Sequence, residues 1–165
     1  MIRRLLFLDI DGVLNCDAST PYLIPNPEIG DKYLGIDEDK LQNLKYIIDE
    51  TGAEIWLTST WKAEWYKIHK KNQDIFANEI DKRFASVGLK VTDKTYDGMV
   101  TGRGCGIRHV VDTLEPTPTS WAVVDDEYFA DYAKFDIDDH LVKTDWRTNG
   151  LTKEKAEEII KILKK

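Results

Sequence analysis

Cysteine is rare in this chain: two residues, Cys16 and Cys105, in 165. That count excludes a disulfide framework, so both are expected as free thiols in a reducing compartment. Long apolar runs are also missing. The first run, in MIRRLLFLDIDG, opens on two arginines as a secretion signal would, but it ends at Leu8 before Asp9 and Asp11, and no small-residue cleavage site follows. Nothing approaches the roughly 20 apolar residues that cross a membrane. Positive charge is in the minority, with 23 lysines and arginines against 30 aspartates and glutamates, a net −7. This argues against broad, non-specific binding to nucleic acid or to an anionic membrane, and leaves room for a local basic groove. The three histidines, His69, His109 and His140, are scattered without metal-ligand spacing. There are no repeats, low-complexity tracts or linkers. The expectation is a soluble, cytoplasmic, monomeric protein whose residues 1–165 form a single domain around one core.

Apolar runs alternate with helical patterns. RRLLFLDI reads as a buried strand, and residues 15–36, with three prolines and two glycines, as a loop with one hairpin-like excursion. Leu41, Leu44, Ile47 and Ile48 recur at helical spacing after Asp37, a candidate cap, and Gly52 ends that helix. AEIWLTST is a second buried strand. Residues 61–84 read as one helix or two, with Phe76, Ile80 and Phe84 as an apolar stripe. SVGLKV reads as a weaker strand, IRHVVDTLEP as a short helix, SWAVVDDE as the fourth strand and HLVKT as a fifth. Thr152 caps a final amphipathic helix. Strands apolar on both faces and alternating with helices predict an α/β, Rossmann-like three-layer sandwich with a mostly parallel sheet of about five strands.

In such a sheet, ligands bind beyond the carboxyl ends of the strands. The polar residues gather there: Asp9 and Asp11 after the first strand, Thr58 and Ser59 after the second, Asp125 and Asp126 after the fourth. Clustered carboxylates repel one another unless a cation sits among them. Hard oxygen donors suit Mg²⁺, which keeps positions open for water or phosphate oxygens. A carboxylate fixed beside the metal can attack phosphorus, and a second acid can move the proton of the leaving oxygen.

DIDGVLN closely resembles the first signature of the haloacid dehalogenase (HAD) superfamily of phosphatases. Thr58 at a strand end matches the second signature and VVDDE the fourth. The runs LTSTW, GRGCGIRHVVDTL, WAVVDDE and NGLT are similar to the small HAD-type domain of "Swiss army knife" RNA repair proteins. The resemblance implies Asp9 as nucleophile and metal ligand, and Asp11 as general acid/base that also lends its backbone carbonyl to the metal. It implies phosphate binding by Thr58 and Ser59, and Asp125 and Asp126 as further Mg²⁺ ligands. The third signature is usually a lysine, and none stands at the helix start here. Arg103 is the first substitute and Arg108 the second; an arginine fork can clamp phosphate. GRGCG lacks the lysine and hydroxyl of a P-loop, so its glycines are read as a turn that brings Arg103 inward.

Neither gap between signatures, residues 16–52 or 62–102, has the length of a separate cap domain. Capless members of the superfamily leave the crevice open to large substrates. The implied function is a Mg²⁺-dependent phosphomonoester hydrolase acting on an RNA or DNA end. The alternatives are a nucleotide monophosphatase, or a non-catalytic phosphate-binding module of the same fold. Trp61 and Trp65, expected on one helical face, would stack a base, with Lys62, Lys67, Lys70 and Lys71 along the backbone.

Overall fold

The computed structural model describes residues 2–18, 23–25, 32–96 and 102–165. Strand β1 (Arg4–Leu8) is central. It pairs in parallel with β4 (Glu54–Leu57) on one side and β6 (Ser120–Asp125) on the other. β5 (Val91–Lys94) and β7 (Leu141–Lys143) are the edges, giving an all-parallel sheet in the order β5-β4-β1-β6-β7. A separate antiparallel ribbon pairs β2 (Leu23–Pro25) with β3 (Lys32–Leu34), the hairpin expected within residues 15–36.

Alternate side chains of β1 feed opposite layers. Leu6 and Leu8 pack with α1 (Glu38–Thr51), α2 (Ile75–Ser86) and α4 (Lys153–Leu163). Leu5 and Phe7 face Ile107, Val110 and Val111 of α3 (Arg103–Thr113), together with Tyr132 and Ile137. These four β1 side chains are fully buried, as a central parallel strand requires, and Arg4 at its start is half-buried. The result is a three-layer α/β sandwich of Rossmann-like form. No helix among the described residues is long and apolar enough to cross a membrane. Neither cysteine forms a disulfide, and the Cys16 thiol donates to the Thr148 carbonyl at 3.3 Å.

Three expectations need correction. The helical pattern at 61–84 becomes a helix only from Ile75, where the Asp74 carboxylate accepts the Ala77 amide at 2.8 Å. Upstream stand two single 3₁₀ turns, Thr60–Lys62 and Lys70–Asn72. Half-buried polar contacts favour this, because Trp61 and Trp65 each aim an indole N–H at a carboxylate (Asp11 at 2.9 Å, Asp81 at 3.0 Å). The strand expected at SVGLKV lies further on, at Val91–Lys94. Val87 and Gly88 still close α2, and the Leu89 amide donates back to the Phe84 carbonyl. Helix α3 starts at Arg103, earlier than IRHVV suggested, for a reason given by its cap below.

Candidate active site

Asp9 follows β1 directly. Its amide donates to the Val124 carbonyl of β6 at 3.1 Å, and the residue is 6% exposed. Asp125, the last residue of β6, is fully buried. Oxygen atoms of Asp9, Asp125 and Asp126 lie within 4.8 Å of one another. Gly12 makes this closeness possible. It takes a positive φ of 77°, and a Cβ on it would fall inside the Asp126 carboxylate. The glycine of DIDG therefore serves the turn and the acid cluster together.

Two buried acids and a half-buried third would repel strongly without a cation, and Arg103 answers part of that charge. Its Nη1 lies 2.6 Å from Asp125 Oδ2 and 3.2 Å from Asp9 Oδ1, and its guanidinium sits 4.2 Å from the Phe129 ring centroid. Tyr132 adds a hydroxyl that donates to Asp125 Oδ2 at 3.0 Å, while the Glu127 amide donates to Asp125 Oδ1. Burial pushes the Asp9 carboxyl well above its usual range and Asp125 pushes it further, against Arg103. Burial and Asp125 also raise Asp126. Burial opposes the charge on Arg103, yet Asp9 and Asp125 outweigh it and hold the guanidinium above its ordinary value. Arg108 pairs instead with Asp112 one turn along α3, at 2.8 Å. Of the two candidate cations, Arg103 is the one brought to Asp9.

The aim of Arg103 depends on an aspartate that the motifs do not mark. The Asp131 carboxylate accepts from the amides of Gly104 (3.1 Å) and Cys105 (3.0 Å), capping α3 from the loop after β6. Gly102 and Gly104 leave room for it, since a Cβ on either would crowd the carboxylate. GRGCG is thus the first turn of a helix clamped from outside.

Asp11 is exposed at the turn. Its Oδ2 accepts from Trp61 Nε1 at 2.9 Å and its Oδ1 from Asn15 Nδ2 at 3.1 Å; Asn15 Oδ1 accepts in turn from the Gly12 amide at 3.0 Å. Asp11 is oriented on both oxygens, but its side chain stands outside the three-acid cluster. Thr58 is 1% exposed, and its hydroxyl has no hydrogen-bond partner among the described residues. Its amide donates to the Leu8 carbonyl, which fixes it beside the end of β1. The Ser59 hydroxyl accepts from the Trp61 amide at 3.2 Å. Trp61 and Trp65 are 6% and 2% exposed, with Trp61 against Phe76, so neither offers a face to a base. That expectation is withdrawn.

The donor set fits a hard divalent cation: three carboxylates converge with no softer ligand among them. A model of the HAD domain in Swiss Army Knife RNA repair proteins matches residues 5–156. The chain belongs to this family. The HAD match spans β1 to the first turns of α4, so it takes in every residue of the site. No curated protein matches the chain.

Sequence patterns had marked Asp9, Asp11, Thr58, Ser59, Arg103, Asp125 and Asp126. They missed Asp131, Tyr132, Phe129 and Asn15. Asn15 carried a local signal, four residues after Asp11 in the same turn. The others act across the fold and carried none.

Proposed function

We propose that this HAD domain is a Mg²⁺-dependent phosphomonoester hydrolase that works through an aspartyl-phosphate on Asp9. The observation that carries the reading is the pairing of Asp9, in a three-carboxylate cluster beside Arg103, with the unpartnered buried hydroxyl of Thr58. A buried hydroxyl without a partner is costly, and an incoming phosphate oxygen would supply the missing acceptor. Asp9, Asp125, Asp126 and the Asp11 carbonyl would hold Mg²⁺, which when bound neutralises the acids and the phosphate oxygens together.

Asp9 attacks phosphorus. One Asp9 oxygen–phosphorus bond forms as the bond from phosphorus to the leaving oxygen breaks. Asp11, oriented by Trp61 and Asn15, gives the leaving oxygen its proton. It then takes a proton from the water that attacks the phospho-enzyme, releasing phosphate and restoring Asp9. Thr58 and Ser59 donate to non-bridging oxygens, and Arg103 offsets charge from the opposite side. The short inserts between motifs leave the crevice accessible to a large substrate, which supports a phosphorylated nucleic-acid end over a free nucleotide.

The test is phosphate release with and without Mg²⁺ from p-nitrophenyl phosphate, nucleoside monophosphates and 3′- or 5′-phosphorylated oligonucleotides. Metal-dependent release that disappears in Asp9→Asn is expected, with oligonucleotide ends preferred. Phosphate binding without release from any of these would favour the non-catalytic module and remove the nucleophile role of Asp9.

A further inference from the structure

The loop after β7, which contains the run NGLT at residues 149–152, folds against the turn that carries Asp11. Hydrogen bonds join the two along their length. The Thr144 hydroxyl donates to the Gly12 carbonyl at 2.7 Å, and the Leu151 amide to the Val13 carbonyl at 2.8 Å. The Cys16 thiol donates to the Thr148 carbonyl, and the Asp17 amide to the Trp146 carbonyl at 2.8 Å. Gly150 sits where the approach is tightest. Its φ is positive, at 55°, and a Cβ on it would stand 2.8 Å from the Val13 carbonyl oxygen and 2.8 Å from Cε of Lys40.

Thr144 is the first residue after β7 and is 5% exposed. Its amide donates to the Asp125 carbonyl at 2.9 Å, while its hydroxyl reaches Gly12. One residue therefore fastens the end of β6, with Asp125 and Asp126, to the turn after β1, with Asp9 and Asp11. The same glycine is held from its other side, because its amide donates to Asn15 Oδ1 at 3.0 Å. In a planar trans peptide the carbonyl points away from the amide hydrogen, so this bond sets the direction of the Asp11 carbonyl. Gly12 is also the residue whose missing Cβ makes room for Asp126. A glycine resists conformational change less than any other residue, so the turn depends on such outside bonds to keep one shape.

We propose that Thr144 is a positioning residue of the metal site. Through Gly12 it sets the spacing of Asp126 from Asp9 and steadies the direction of the Asp11 carbonyl, and so it tunes the affinity for a divalent cation from outside the ligand set. The proposal rests on the Mg²⁺ reading of the acid cluster for the ion, and on the hydrogen bonds alone for the hold on the turn.

The experiment is calorimetric titration of Mg²⁺ into the substrate-free protein, wild type against variants. Thr144→Val keeps the shape and removes the hydroxyl. It should weaken Mg²⁺ binding about tenfold, the low end of what losing a support behind metal ligands costs. Thr144→Ser returns the hydroxyl and should recover most of that loss. Thr51→Val is the matched control. The Thr51 hydroxyl is equally buried, at 5% exposure, and donates to the Ile47 carbonyl at the same 2.7 Å, but it stands at the last residue of α1, toward the amino ends of the strands. That variant should lose comparable thermal stability and keep the wild-type affinity for Mg²⁺. Hydrogen exchange of the Gly12 amide, followed without metal, gives a second reading. Exchange should be several-fold faster in Thr144→Val than in wild type or Thr51→Val. Wild-type Mg²⁺ affinity in Thr144→Val, or a loss matched by Thr51→Val, overturns the proposal. A wild-type protein that binds no Mg²⁺ would overturn the metal reading, and with it the effect on affinity. The exchange of Gly12 would still decide whether Thr144 holds the turn, and an unchanged rate would overturn that too.

Discussion

Thr58 sets function against stability within one side chain. Its hydroxyl is buried and unpartnered among the described residues, which costs on the order of 1–3 kcal/mol in a folded protein. Thr58→Val keeps the shape and removes the hydroxyl. The variant should therefore melt higher, by about 2–4 °C for each kcal/mol regained, while phosphate release falls about tenfold or more. A melting point below wild type would mean that the hydroxyl is satisfied in solution and is not held ready for a ligand. Glu79 on α2 offers a second residue-scale contrast, away from the site. It is 6% exposed, and its Oε1 lacks a hydrogen bond among the described residues. Burial raises its pKa, against Lys82 and Arg83. A carboxyl raised in the fold binds its proton more tightly than in the unfolded chain. Its contribution is fully present below the unfolded value and is lost as pH rises through the folded one. Glu79→Gln does not titrate. In urea unfolding from pH 4 to 7, its stability relative to wild type should climb with pH and end on the order of 1 kcal/mol ahead at neutrality. A gap that stays constant with pH would show that Glu79 is solvated.

At the scale of elements, α3 matters most, because its first residue is the cation of the site. The Asp131 carboxylate bonds two of the four amides that a helix start leaves open, and its charge suits the positive end of the helix dipole. Asp131→Ala should lower stability by about 1–2 kcal/mol. It should also cut turnover, because Arg103 loses the fixed helix start from which it reaches Asp9 and Asp125. Unfolding and steady-state kinetics on the same preparation check both effects; lost stability with unchanged kcat would make Asp131 a cap and nothing more. This element also marks where sequence reading stops. Strands β1, β4 and β6 were legible because each is a short apolar run that ends in the polar residue it presents. Asp9, Asp11, Thr58 and Asp125 were readable for the same reason. Asp131 and Tyr132 were not, because the β6–β7 loop must fold back before Asp131 can reach the start of α3 and Tyr132 can reach Asp125 at the end of β6. The segment 61–74 misled for a related cause. Trp61 and Trp65 have helix-like spacing, but their indole N–H groups find Asp11 and Asp81, and those bonds replace the helix.

Over the whole molecule, the sheet concentrates like charge at one end. β1 and β6 lie side by side in parallel register, so their carboxyl ends deliver Asp9, Asp125 and Asp126 to one place, and a single guanidinium offsets them. Breaking such a buried arrangement by removing one partner is strongly destabilising, whereas adding a cation is stabilising. The fold without metal therefore carries unbalanced repulsion at the carboxyl ends of β1 and β6, the two longest strands among the described residues. A divalent ion that binds the native cluster and not the unfolded chain stabilises by RT ln(1 + [L]/Kd), about 2.7 kcal/mol at a hundredfold excess over Kd. For a chain of this size that corresponds to a rise of about 5–10 °C in Tm. Mg²⁺ titrated into the wild-type protein should produce this rise with no substrate present, and EDTA should reverse it. Asp125→Asn should abolish most of it, because the fully buried carboxylate is the member of the cluster that cannot be replaced by solvent. Arg103→Met should tell the two cations apart. If the guanidinium and the metal share the charge of Asp9 and Asp125, the variant is less stable than wild type without Mg²⁺ and gains more from its addition. A variant that gains less would mean that Arg103 helps to build the metal site, and that the acids alone do not hold it.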